Sequence, residues 1–198
     1  MQKKLLIFDL FGVIVSEAHL CSNILCSMFP ECDIQLIRKK YSAYEMDEID
    51  AEEFWMTIGG EERPDVYLLQ FMNNITINPE LDTIINTLKE RFDFAILSNI
   101  PKDWKKPFAE LIGKYFNEIL VSGQVGYGKP DPKFYLHLCD ISGYSAHECI
   151  LIDDNKDNLA AAFELGMKTV WMRIEEQPET IYKPFYTITE LHDVIRIL

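Results

Sequence analysis

The sequence predicts an α/β domain: a doubly wound parallel sheet with a small helical lobe inserted after its first strand. Two observations carry that expectation. Short apolar runs without alternation recur along the chain and mostly end in polar residues, as strands buried on both faces do, and helix-forming stretches separate them. More than 80 residues lie between the first run and the second, whereas later runs recur every 20 to 30 residues. The long gap marks an insertion. The 198 residues suffice for one core and a small lobe of this kind.

The first strand is Leu5-Leu6-Ile7-Phe8. The lobe is expected over residues 16–77, leaving 1–15 and 78–198 for the sheet domain, with hinges near Val15-Ser16 and 77–79. Within the lobe, Asp50-Ala51-Glu52-Glu53 reads as a helix start, with Glu53 at the reciprocal capping position. Phe54, Trp55 and Ile58 then share one helical face and read as core. Trp55, Phe29, Tyr41 and Tyr44 either line the cleft or fill the core of the lobe, and core is the expectation for most of them. Asn78-Pro79 reads as an N-cap followed by proline in the first helical position, opening a helix to about Arg91. Strands follow at 92–97, 118–121, 149–152 and 168–172, the last two separated by an alanine-rich helix from Asn158 to Gly166. The stretch from Glu175 to Lys183, with Pro178, reads as a surface loop before a last helix from about Thr189.

Bulk properties exclude several classes of function. A net charge of −13 argues against a nucleic-acid partner, because phosphate backbones attract basic surfaces. No apolar run approaches the roughly 20 residues of a membrane span. The start meets Asp9 after four apolar residues, too few for a secretory signal. The five cysteines form no metal-type cluster, and an odd count without a signal points to reduced thiols in the cytoplasm.

Four polar clusters stand where parallel strands end: Phe8-Asp9-Leu10-Phe11-Gly12, Leu97-Ser98-Asn99, Gly128-Lys129-Pro130-Asp131 and Ile152-Asp153-Asp154-Asn155. Each alone is an ordinary cap or turn. Parallel strands finish on one side of the sheet, so the four should converge in space. Asp153 and Asp154 facing Asp9 repel one another unless a cation lies between them, and a hard ion with oxygen ligands, most simply Mg2+, meets that need. Lys129 offsets the remaining charge and Ser98 can bind phosphoryl oxygens. Phosphoryl transfer asks mainly for such positioning and neutralisation.

This ordered set resembles the haloacid dehalogenase superfamily, whose motifs are a nucleophilic Asp, a Ser or Thr, a Lys and a carboxylate pair. The resemblance covers nearly the whole chain. The lobe stands where many members carry a helical cap, and the run Tyr44-Glu45-Met46-Asp47-Glu48-Ile49 looks like the cap of its small phosphatase-like branch. The resemblance implies Asp9 as nucleophile, Lys129 as charge clamp, and Ser98 with Asn99 as phosphate binders. It implies Mg2+ held by Asp9, the backbone carbonyl of Phe11, Asp154 and Asp153, and a small phosphorylated metabolite as substrate.

One position departs from the pattern. Phosphatases of this superfamily usually carry a second Asp two residues after the nucleophile, as proton donor, and here that residue is Phe11. General acid–base help is worth about 10²–10⁴-fold. Three readings follow: a phosphatase that borrows an acid, with Glu17, His19 and Asp47 as candidates; a 2-haloacid dehalogenase, which needs no proton donor; or a weak enzyme that binds a phosphate ligand or a partner. A phosphonatase would need a lobe lysine such as Lys39 or Lys40. The retained Asp153-Asp154 pair favours the phosphatase, since the resemblance has dehalogenases working without metal and carrying small polar residues there. The pair would otherwise be an unneutralised anion cluster beside an anionic substrate.

Overall fold

The computed structural model describes residues 3–174 and 181–198. Among them six strands form one parallel sheet: β1 (Lys4–Phe8), β2 (Phe92–Ser98), β3 (Glu118–Val121), β4 (Cys149–Asp153), β5 (Lys168–Met172) and β6 (Tyr186–Ile188). Their order across the sheet is β3-β2-β1-β4-β5-β6. Side chains alternate along each strand, and helices cover both faces. Leu6 and Phe8 point into one cluster, with Phe94, Ile96, Ile150 and Ile152. Leu5 and Ile7 point into the other, with Ala95, Leu97, Leu151 and Cys149. This two-sided burial is why the strands read as unbroken apolar runs.

Between β1 and β2 the chain forms helices, chiefly α1 (Ile34–Glu45), α2 (Ala51–Thr57) and α3 (Pro64–Asn73). Asp33 caps α1, accepting from Gln35 N at 2.8 Å and Leu36 N at 3.1 Å. Asp50 caps α2 through Glu53 N at 2.8 Å, while the Glu53 carboxylate turns to Lys40 at 3.0 Å instead of reaching back to the cap. The chain enters and leaves these helices side by side: Val15 and Ile77 form an antiparallel bridge, and Ser16 N donates to Thr76 O at 2.9 Å.

The remaining long helices are α4 (Leu81–Leu88), α5 (Lys105–Ile112), α6 (Pro132–Ser142) and α7 (Lys156–Glu164). Leu81, Ile84, Ile85 and Leu88 press α4 onto one sheet face, and α6 and α7 cover the other through Phe134, Leu138, Leu159 and Ala162. The first cluster continues without a break into the inserted helices. Trp104, just before α5, stands 4.2 Å from Phe71, 5.8 Å from Tyr41 and 6.4 Å from Trp55 by ring centroids. Phe54, Trp55 and Ile58 are all fully buried here, as core residues. Removing an aromatic side chain from such packing costs about 3–5 kcal/mol.

Several elements differ from the sequence expectation. β6 was not expected as a strand, because it is three residues long and buries only Ile188. Helix α4 begins at Leu81, not at Pro79: Asn78 instead caps the preceding turn, its Oδ1 accepting from Glu80 N at 3.0 Å. α7 begins two residues early at Lys156, capped by Asn155 through Asp157 N at 2.8 Å. The last helix is a short turn at Leu191–Asp193 followed by Val194–Ile197. Most of the loop expected over Glu175 to Lys183 lies outside the described residues. Among the described residues, no helix is long and apolar enough to cross a membrane.

Candidate active site

Three neighbouring strands deliver acidic and hydroxyl side chains to one edge. Asp9 follows β1 directly, Ser98 is the last residue of β2, and Asp153 is the last residue of β4. The β1–β4 pairing runs on through Asp9, whose N–H donates to Ile152 O at 2.9 Å. Strand order reverses about β1, where a doubly wound sheet opens its ligand crevice. Lys129 comes in on the loop ahead of α6, whose start is capped by Asp131.

The buried Lys129 ammonium lies 2.8 Å from Asp9 Oδ2 and 2.6 Å from Asp153 Oδ2. Asp9 Oδ1 accepts from Ser98 Oγ at 3.0 Å and from Leu10 N at 2.6 Å. Asp153 is saturated: its Oδ1 also accepts from Asn155 N at 2.8 Å and Asn158 Nδ2 at 3.1 Å. Asn99 holds the lysine loop by both ends of its amide. Nδ2 donates to Lys129 O and Oδ1 accepts from Lys129 N, each at 2.8 Å. Gly128 permits this approach, since a Cβ there would stand 2.5 Å from Asn99 Oδ1.

Asp9, Asp153 and Asp154 each bring a carboxylate oxygen within 4.8 Å of the others. The cost of gathering them shows in their protonation. Burial, with the charges of Asp9 and Asp153 adding to it, pushes Asp154 up to about 8. Burial raises Asp153 to about 6 against the pull of Lys129. Burial alone would depress Lys129, but Asp153 and Asp9 hold it above its ordinary value. One ammonium against three carboxylates leaves negative charge that a hard dication with oxygen ligands fits.

A cleft of ≈ 140 Å³ opens onto these groups, lined by Asp9, Phe11, Leu20, Tyr41, Ser98 and Lys129 among others. Larger hollows exist, such as one of ≈ 740 Å³ beside Glu52 and Arg63, but they lie away from the carboxylates. The Phe11 ring packs between Phe71 at 5.9 Å and Phe108 at 6.0 Å. Of the acids weighed as substitutes, Glu17 accepts from Thr76 N at 2.8 Å, at the crossing of the two connecting segments. Asp47 pairs with Lys102 at 2.7 Å. His19 takes a positive φ of 57° and its carbonyl starts the next helical turn, accepting from Asn23 N at 2.9 Å. Two residues of α1 face the cleft region: Tyr41, read from the sequence as lobe core, and Glu45, not singled out there. Tyr41 lines it, and Glu45, one turn on, is close enough for its charge to interact with those of Asp9 and Lys129. Helical spacing of four places both on one face, a signal that becomes legible only once the phase of α1 is known.

Similarity to known proteins agrees with this architecture. The chain is 28% identical over 123 residues to the glyceraldehyde 3-phosphate phosphatase of Pyrococcus furiosus, a match covering 59% of this chain and 51% of that protein. It is 25% identical over 197 residues to the 6-phosphogluconate phosphatase of Escherichia coli, covering 91% and 87%. The chain thus spans about half the length of the first relative and most of the second. Among solved structures, a haloacid dehalogenase-family enzyme of Bacteroides thetaiotaomicron, in complex with magnesium and inorganic phosphate, superposes with a TM-score of 0.70 at 21% identity, covering 89% of this chain and 97% of that one. The L-2-haloacid dehalogenase of Xanthobacter autotrophicus, with chloropropionic acid covalently bound, gives 0.74 at 16% identity, covering 99% and 98%. At these identities the two superpositions speak for the fold alone. The family model for haloacid dehalogenase-like hydrolases matches residues 3–166, most of the sequence, and the chain belongs to that family.

Proposed function

We propose that this chain is a magnesium-dependent phosphatase for a small phosphorylated metabolite, working through an aspartyl-phosphate on Asp9. The observation that carries the reading is the gathering of Asp9, Asp153 and Asp154 oxygens within 4.8 Å of one another beside one buried lysine. Mg2+ bound there by Asp9, Asp154, the Phe11 carbonyl and, directly or through water, Asp153 would draw charge from the phosphoryl oxygens. The naming of the curated relatives as phosphatases of small phosphorylated compounds, and the magnesium and phosphate in the Bacteroides structure, lend support.

The chain's own residues do the rest. Lys129 pairs with Asp9 and takes up phosphoryl charge, with Asp153 as its anchor. Asn99 fixes the Lys129 loop, so its part is positioning. Ser98 Oγ, now donating to Asp9, turns its proton to a phosphoryl oxygen when substrate fills the cleft. The Asp9 carboxylate forms a bond to phosphorus as the bond to the leaving oxygen breaks, and water then cleaves the acyl phosphate. Residues 16–77 act as a cap on the sheet domain of 1–15 and 78–198, pivoting at the paired crossing of Val15 and Ile77. A cleft of ≈ 140 Å³ suits a phosphoryl group with a small body.

The alternative chemistry, halide displacement from a 2-haloacid, is favoured by the aromatic Phe11, but it would bring an anionic substrate to an uncompensated carboxylate cluster. The test is phosphate release from small phosphate esters and acyl phosphates, with Mg2+ and with EDTA. Release that EDTA and Asp9→Asn both abolish is the expected result. Chloride release from a 2-chloroacid that persists in EDTA would replace the phosphatase reading with the dehalogenase one.

A further inference from the structure

The missing proton donor at position 11 has a structural counterpart in α1. The C-terminal end of that helix is fastened to the loops that carry the site. Ser122 Oγ, just after β3, donates to the Glu45 carbonyl at 2.6 Å. Met46 lies against the Lys129 loop, for a Cβ at Gly128 would stand 2.9 Å from Met46 Cε. One turn before Glu45, Tyr41 lines the cleft beside Asp9 and donates to Asn99 O at 3.3 Å. Among the described residues the Glu45 carboxyl has no hydrogen-bond or ion-pair partner, which leaves it available to a ligand.

We propose that Glu45 is the general acid and base of this enzyme, delivered from α1 to the leaving oxygen that Phe11 cannot serve. The assignment rests on the phosphatase reading. The charged and titratable groups that face Glu45 are Asp9 and Lys129 from the sheet domain and Tyr41 and Cys21 from the inserted helices. Burial lifts its carboxyl to about 8, with Lys129 opposing and Asp9 adding, so it holds a proton at neutral pH. As the P–O bond to the leaving group breaks, the Glu45 proton passes to the departing oxygen and gives an alcohol. Glu45 is left as a carboxylate. It then takes a proton from the water that attacks the aspartyl-phosphate, so inorganic phosphate departs, Asp9 is regenerated and Glu45 is protonated again.

The experiment compares Glu45→Gln with the parent protein on glycerol phosphate and on p-nitrophenyl phosphate, the latter needing no proton on its leaving group. kcat/KM for glycerol phosphate should fall about 10²–10⁴-fold. The first turnover of p-nitrophenyl phosphate should fall far less and appear as a burst of about one nitrophenolate per site, because hydrolysis of the acyl phosphate now lacks its base. That burst also shows that the variant is folded. Glu45→Asp should recover part of the glycerol phosphate activity. The alkaline limb of the parent kcat/KM profile, where Glu45 loses its proton, should vanish in Glu45→Gln. Equal losses on both esters, or no loss, would overturn the assignment while leaving the phosphatase reading intact. A parent protein that cleaves neither ester would overturn both.

Discussion

Gly12 and Asp154 are fitted to each other: a Cβ on Gly12 would stand 2.6 Å from Asp154 Oδ2, and Gly12 has a φ of +73°. Backbone and carboxylate occupy space that a side chain would need. Gly12→Ala would therefore both strain the turn, by about 1–2 kcal/mol, and push the Asp154 carboxylate aside. The concentration of Mg2+ needed for half-maximal turnover should rise about 10–100-fold, as when a metal ligand loses its support. A Mg2+ titration of phosphate release measures it. An unchanged midpoint would mean that Asp154 does not hold the ion.

The clustered carboxylates predict how the metal-free protein responds to pH. Folding raises Asp153 to about 6 and Asp154 to about 8, so the folded state binds more protons than the unfolded one over that range. Stability from these groups is then present at low pH and is lost as pH rises through 6 to 8. In EDTA the Tm should climb as pH is lowered from 8.5 to 6, and Mg2+ should flatten the slope by neutralising the cluster. Asp154→Asn should raise the EDTA Tm at pH 8, at about 2–4 °C for each kcal/mol relieved, while abolishing turnover. Thermal melts at several pH values, with and without Mg2+, read both effects. A Tm in EDTA that does not depend on pH would contradict the pattern.

The convergence of Asp9, Ser98, Lys129, Asp153 and Asp154 is legible in the sequence for a simple physical reason. Parallel strands end on one side, so a polar residue directly after a buried apolar run has a known destination. Helix starts are less legible. In the run from Asp153 to Asn158 almost every residue can cap a helix, and the choice of Asn155 depends on Asp153 being taken by Lys129 and Asn158. Glu45 is hidden for a different reason. It lies in a run with Asp47 and Glu48, and only the phase of α1 and the packing of its end on Ser122 bury Glu45 within electrostatic reach of Asp9 and Lys129. Strand β6 escapes because a single buried residue, Ile188, carries no period.

Asn99 offers a separate test of how Lys129 is held. Its amide makes two hydrogen bonds to the Lys129 main chain, both at 2.8 Å, in a half-buried setting. Asn99→Ala removes both and leaves a peptide N–H and a carbonyl to find new partners, at a cost of about 1–3 kcal/mol. Asn99→Asp keeps the acceptor but loses the donor, and adds charge to an acidic site. Both variants should lower kcat/KM, Asp more than Ala, although Asp retains one of the two bonds. If the order were reversed, the loop geometry would matter more than the charge. Steady-state kinetics with a matched melting curve separate the two.

Restoring an acid at position 11 should fail, and the reason lies in where that side chain goes. The Phe11 ring, which lines the cleft, fills the gap between Phe71 and Phe108. Phe11→Asp would empty that gap, and because Phe11 is only half-buried the cost falls below the ~3–5 kcal/mol of a fully buried aromatic residue. The new carboxyl would also stand two residues from Asp9, adding negative charge to a cluster that already raises Asp154 to about 8. The variant should therefore melt lower than the parent and hydrolyse glycerol phosphate no faster. Placed in the Glu45→Gln background, Phe11→Asp should give little or no rescue, because the carboxyl sits where the ring packed and not where Glu45 approaches from α1. Strong rescue would show instead that position 11 can reach the leaving oxygen and that its aromatic residue is only a local substitution.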